Sequence, residues 1–151
     1  MFKKILFPVD GLESSKKIID YIKDFAKKFN SEVALVSSLD LSVISPGPLL
    51  FSLNSEQEDE ILFTYQFVLN EIKADLEKED IKAESKLVKG HPGSLICSVA
   101  KSENCDLIIM GKRELSTVKS YLLGSVSNYV VHHAICPVFL IDITPTEIIK
   151  I

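Results

Sequence analysis

The chain is predicted to fold as a single α/β domain around a parallel, doubly wound sheet, and three observations lead there. Short apolar runs alternate with amphipathic stretches, strand then helix four times over, and a fifth apolar run closes the series. A length of 151 residues suits one core, because a chain of that size buries about 70% of its unfolded surface on folding. Hydrophobic residues make up 46% of the chain, and 17 basic against 21 acidic side chains leave a net charge of −4. Such a chain is too apolar for a disordered tail, and too mildly acidic for a dedicated nucleic-acid binder, which shows a basic face.

Each element follows from local pattern. Ile5 to Val9 is a short apolar run stopped by Asp10-Gly11, the pattern of a buried strand and a turn. From Ser14 the residues Ile18, Ile19, Tyr21, Ile22, Phe25, Ala26 and Phe29 recur at helical spacing, with Ser14 or Ser15 as the expected N-cap. Val33 to Val36 is the second buried strand. Residues 39–54 contain Pro46-Gly47-Pro48 and no sustained period, which predicts a long loop. Its Leu49, Leu50, Phe51 and Leu53 are unusual in a passive connector and fit a lid or a partner contact.

Ser55 opens a helix whose acidic first turn, Glu56, Glu58, Asp59 and Glu60, complements the positive end of the helix dipole. Its buried stripe is predicted to be Ile61, Leu62, Tyr65, Val68, Leu69, Ile72 and Leu76, with the remaining face a solvated charge run. Residues 81–88 alternate as an exposed or edge-proximal strand does. Gly90-His91-Pro92-Gly93 breaks the chain, and Pro92 suits the first turn of a helix carrying Leu95, Ile96, Val99 and Ala100. Asp106 to Met110 is the most apolar run and hence a central strand. A helix over about 125–133 and a strand over 137–141 complete the domain; the leading Pro137 marks that strand as an edge.

Cys97, Cys105 and Cys136 are odd in number and lack a CxxC spacing, which suits reduced, buried thiols in a cytoplasm better than disulfides or a zinc site. The amino-terminal run reaches Pro8 and Asp10 too soon for a signal peptide, and no stretch approaches the roughly 18 apolar residues of a membrane span. The expected location is therefore cytoplasmic. His132-His133 sits near a helix end, where favourable interaction with the dipole outweighs metal binding because adjacent side chains diverge and no third ligand is evident.

In doubly wound sheets functional groups gather at the carboxyl ends of the strands, where Asp10 and Gly111 fall. The segment from Gly111-Lys112-Arg113-Glu114 to Gly124-Ser125-Val126-Ser127 reads as strand, loop and helix start. Free N–H groups there, two serine hydroxyls, and the charges of Lys112, Arg113 and Lys119 make an anion site, ideally for phosphate; Arg113 is the only arginine in the chain. The same Gly124-Ser125 pair would serve equally as a plain turn and N-cap.

Lys4-Ile-Leu-Phe-Pro-Val-Asp-Gly11, Gly90-His-Pro-Gly-Ser94, Cys105-Asp-Leu-Ile-Ile-Met-Gly111, Leu123-Gly-Ser-Val-Ser127 and Cys136-Pro-Val138, in that order, resemble the universal stress protein (UspA-like) family from residue 3 to about residue 142. The resemblance implies one domain over 1–142 with a tail over 143–151, a five-stranded sheet of order 3-2-1-4-5, and a homodimer through the last strand, Val138 to Ile141. It also implies an adenine nucleotide, ATP, with Asp10 and the neighbouring Pro8 and Val9 at the adenosine, Val36 walling the base, and Met110 and Gly111 lining the cleft. Gly124, Ser125, Val126 and Ser127 would hold the phosphates, with charge from Lys112 and Arg113.

One position departs from the family pattern. Nucleotide-binding members carry a glycine, two residues, a second glycine, nine residues, then glycine and serine or threonine; the second glycine falls on Glu114. Its Cβ and negative charge oppose a phosphate unless a magnesium ion takes it as a ligand. The expectation is therefore a weak adenine-nucleotide binder with at most slow ATP turnover. The alternative is a nucleotide-free regulatory homodimer serving an unknown partner. There is no Walker lysine motif, GxSxG or GxGxxG, and no nucleophile or base that would mark an electron-transfer or nucleotidyl-transfer enzyme.

Overall fold

The computed structural model describes residues 1–40, 54–112 and 124–143. The strands are β1 (Lys4–Pro8), β2 (Glu32–Leu39), β3 (Ala83–Lys89), β4 (Leu107–Lys112) and β5 (Val138–Asp142). The helices are α1 (Leu12–Phe29), α2 (Ser55–Glu77), α3 (Pro92–Ser102) and α4 (Ser125–His133). Every strand pairing is parallel and the order is β3-β2-β1-β4-β5, as the sequence led us to expect.

Alternation along the strands divides the interior in two. Ile5, Phe7, Val9, Val33, Leu35, Leu107 and Ile109 point to the face covered by α1 and α2, where they meet Ile18, Ile22, Leu69, Ile72 and Leu76. Leu6, Ala34, Val36, Ile108 and Met110 point to the other face and pack on Ile96, Ala100 and Val130 of α3 and α4. Strands buried on both faces are continuous apolar runs for this reason, which is why β1 and β4 stand out in the sequence.

Several local expectations are corrected. The N-cap of α1 is Gly11, one turn before the predicted serines. Ser14 and Ser15 lie inside the first turn, and the buried Ser15 donates to the Gly11 carbonyl at 2.5 Å. Tyr21 belongs to the solvent side of α1 and is 52% exposed. β2 runs on to Leu39 because Ser37, a polar residue in an apolar strand, is buried with its hydroxyl satisfied by the Val9 carbonyl at 2.8 Å. In α2 only Leu69, Ile72 and Leu76 are fully buried, while Ile61, Leu62, Tyr65 and Val68 are half-buried. Its start is set by Asn54, whose side chain accepts from the Gln57 N–H at 2.9 Å while the Gln57 side chain accepts from the Asn54 N–H. Residues 41–53, the centre of the expected lid or partner loop, and 144–151 of the expected tail lie outside the described residues. Among the described residues no helix is long and apolar enough to cross a membrane.

At the amino end of the sheet the Glu103 carboxylate receives both Lys4 of β1, at 3.0 Å, and Lys86 of β3. These bonds, Lys86 first, hold the Glu103 carboxyl below its ordinary range, and the Glu103 bond raises the Lys4 ammonium. A carboxyl depressed in the folded state stabilises the fold above its ordinary value of 4.5 and loses that contribution as the pH falls. The unfolding free energy from denaturant titration, followed from about pH 6 to pH 3, should therefore fall more steeply for the natural chain than for Glu103→Gln, by about 1 kcal/mol or less.

Candidate functional site

The order in which strands are added reverses at β1. The chain leaves β1 toward β2 and β3, then returns to place β4 on the other edge of β1. In open α/β sheets connections that diverge in this way leave a crevice at the carboxyl ends of the strands, here those of β1 and β4, where ligands bind.

The described candidates lie at or near these strand ends. Pro8, the half-buried last residue of β1, lies opposite Val36 of β2, and the Val9 N–H donates to the Val36 carbonyl at 2.8 Å. The Val9 side chain itself is buried on the α1 face. Asp10 follows on an exposed turn before α1. Val36 and Met110 share the opposite face, in the apolar cluster that also receives Val126 of α4. Gly111 and Lys112 continue β4 opposite Ile141 and Asp142 of β5, where the sequence reading had begun a loop. A Cβ on Gly111 would lie 2.9 Å from Cδ1 of Ile18 and 3.2 Å from Ile143, so glycine here lets α1 and the end of β5 close over the strand. Arg113, Glu114 and Lys119 lie outside the described residues.

The start of α4 faces the same end of β4. Gly124 is buried with φ −59° and ψ 159°, and among the described residues no side chain caps the helix. Ser125 is exposed, Val126 half-buried, and Ser127 buried with its hydroxyl donating to the Gly111 carbonyl at 3.4 Å. The N–H groups of this uncapped first turn lack intrahelical acceptors, which is the property that attracts an anion. The arrangement sets a buried apolar cluster, Val36 and Met110 with Val126, beside a helix start rich in N–H donors.

What seats α4 was not singled out from the sequence. Gly93 of α3 is buried beneath the Tyr129 ring of α4, and a Cβ there would lie 2.9 Å from Cγ and Cδ1 of that ring. The signal was available as a glycine inside a helix, a position that needs a packing reason.

The remaining candidates stand apart from the crevice. The Nδ1–H groups of His132 and His133 donate to the Asn128 and Tyr129 carbonyls at 2.7 and 2.8 Å, and His133 stacks on Tyr129 with ring centroids 4.0 Å apart. Among the described residues no group of three or more His, Cys, Asp or Glu side chains could hold a metal ion. Cys105 is buried, and burial pushes its thiol up to about 11; burial also raises Cys97 and Cys136. A groove of about 410 Å³ lies between the end of β3 and α3, lined among others by Val88, His91 and Leu95. It sits at the sheet edge, two strands from β1, and is not part of the crevice.

Comparison with known proteins adds the following. The model of the universal stress protein family matches residues 1–142. The universal stress protein MJ0531 of Methanocaldococcus jannaschii is 31% identical over 143 residues, covering 93% of this chain and 82% of that one. Among solved structures, MJ0577 of the same archaeon is similar with a TM-score of 0.80 and 28% identity, over 97% of this chain and 99% of that chain. A family protein of Arabidopsis thaliana solved with AMP bound is similar in fold, with a TM-score of 0.68 at 18% identity over 96% and 94% of the two chains.

Gly93→Ala should destabilise the protein by up to about 2 kcal/mol in chemical denaturation. Overpacking costs about 1–3 kcal/mol, more than the roughly 1 kcal/mol that alanine gains over glycine in a helix. In a Tyr129→Ser background the same change should cost less, since the ring is gone while the Cβ at position 129, 3.0 Å away, remains.

Proposed function

The chain belongs to the universal stress protein family, and we propose that it binds an adenine nucleotide, ATP, in the crevice between β1 and β4. The observation that carries this reading is the convergence of Val36, Met110 and Val126 in one apolar cluster beside the uncapped start of α4. The ring would lie against Val36, Asp10 with Pro8 and Val9 would meet the adenosine, and Met110 and Gly111 would line the cleft. The phosphates would rest on Gly124, Ser125, Val126 and Ser127, with Lys112 and Arg113 supplying positive charge. The AMP-bound relative of the same fold supports an adenine nucleotide as the class of ligand.

The nucleotide is held weakly in this reading because Glu114 stands where nucleotide-binding members carry glycine. A carboxylate about 4 Å from a phosphate costs roughly 1–4 kcal/mol for dielectric constants of 80 down to 20, or a factor of about 5 to 1,000 in affinity. Magnesium bridging the two would offset that repulsion. The sequence carries no Walker lysine motif, GxSxG or GxGxxG, which favours at most slow ATP turnover in this reading. The protein acts as a cytoplasmic stress-response module that reports nucleotide rather than consuming it.

Glu114 also favours a second reading, a regulatory homodimer without nucleotide. Calorimetric titration with ATP and magnesium separates the two. Under the first, binding is measurable and Glu114→Gly tightens it by roughly 5- to 1,000-fold; under the second, neither protein gives a binding heat at nucleotide concentrations on the order of millimolar.

Both readings include a homodimer formed through Val138–Ile141. Among the described residues β5 has a strand partner on its β4 side alone, and Phe139 is 45% exposed along it, with Val131 and Ile135 also exposed. An apolar strand edge left open invites uncontrolled pairing, and a second copy closes it. Sedimentation at micromolar concentration should give a dimer, and Phe139→Lys a monomer.

A further inference from the structure

We propose that the outer face of α2 is a docking surface for a basic amphipathic helix of a partner protein. α2 is 23 residues long and buries only Leu69, Ile72 and Leu76, all in its second half. On the side away from that stripe Phe63 is 73% exposed and Phe67 is 50% exposed. At about 100° per residue, Glu56, Asp59, Glu60, Phe63, Phe67 and Glu71 fall within an arc of roughly 120°, and all six are exposed. The charge run read from the sequence as a solvated face thus has two aromatic rings at its centre.

Neither the core nor the crevice uses these rings. Phe63 and Phe67 are one helical turn apart, about 6 Å along the axis, and stand out as a ridge that fits the groove of a second helix. Aromatic side chains in such positions are the residue type that anchors interfaces. The carboxylates decide which helix fits. No lysine or arginine occurs from residue 55 to residue 72, and none of Glu56, Asp59, Glu60 and Glu71 forms an ion pair among the described residues. A partner with an apolar stripe rimmed by lysine or arginine satisfies both features at once, steered by the charges and held by the rings. An acidic helix would meet uncompensated carboxylates, and so would a second copy of α2 laid on the same face.

The test uses the full chain and two synthetic helical peptides of about 18 residues that share a leucine stripe, one flanked by lysines and the other by glutamates. Fluorescence anisotropy should show binding of the lysine peptide that weakens as salt rises and no binding of the glutamate peptide. Phe63→Ser with Phe67→Ser should weaken the lysine peptide at least tenfold while leaving the circular-dichroism melt and the sedimentation of the protein unchanged. Glu56→Gln with Asp59→Asn and Glu60→Gln should remove most of the salt dependence. The proposal is overturned if the lysine peptide does not bind, if it binds the double serine variant as tightly as the natural chain, or if the glutamate peptide binds equally well. It is also overturned if the double serine variant halves the sedimenting mass, which would assign the face to a second copy.

Discussion

β1 is hydrogen-bonded along both edges, to β2 and to β4, and its register is fixed before either ladder begins. The Asp106 carboxylate, at the foot of β4, accepts the N–H groups of Lys3 and Lys4 at 2.9 and 3.1 Å, while the Glu32 N–H donates to the Lys3 carbonyl at 2.8 Å. Ile5, Leu6 and Phe7 above this anchor are wholly buried and divide between the two cores. A slip of one residue would send Phe7 toward α3 and Leu6 toward α1, exchanging the contents of both layers. The reversal of winding at β1, and so the crevice, depends on this strand being held on both sides.

The two helix layers meet that constraint differently. α1 and α2 cover their face with large aliphatic side chains, and Lys23 of α1 reaches Asp75 and Glu79 at 2.9 Å to join the pair at its rim. α3 and α4 are short, and their contact relies on the absent side chain of Gly93, which admits Tyr129. The first layer tolerates a helix much longer than the strands beneath it. The second is a close fit, appropriate to the layer that brings a helix start against β4.

Much of the fold was legible because burial on both faces of a parallel sheet leaves an unambiguous mark: Ile5 to Val9 and Asp106 to Met110 could be little else. Boundaries were less legible where a hydroxyl plays two parts. Ser14 and Ser15 resemble caps in sequence, yet Ser15 serves the helix by back-bonding to Gly11, and Ser37 resembles the end of a strand, yet is buried within it. The crevice residues show the same division. Gly111 and Ser127 were readable from glycine and helix-start chemistry, whereas the roles assigned to Val36 and Met110 came through family resemblance, since a buried valine or methionine carries no local sign that its face borders a crevice. Gly93 was the residue whose importance composition could not convey, because its effect depends on a ring 36 positions away.

The two serines at the mouth of the crevice have a consequence for what it would present to a ligand. Ser37 donates to the Val9 carbonyl just beyond β1 at 2.8 Å and Ser127 to the Gly111 carbonyl near the end of β4 at 3.4 Å, so each oxygen has one donor from within the protein. Strand ends ordinarily expose such oxygens as acceptors, and their lone pairs repel an anion. With one lone pair on each turned toward a hydroxyl, an anion bound as proposed would meet the amide hydrogens of α4 against a weaker opposing field from the strand carbonyls.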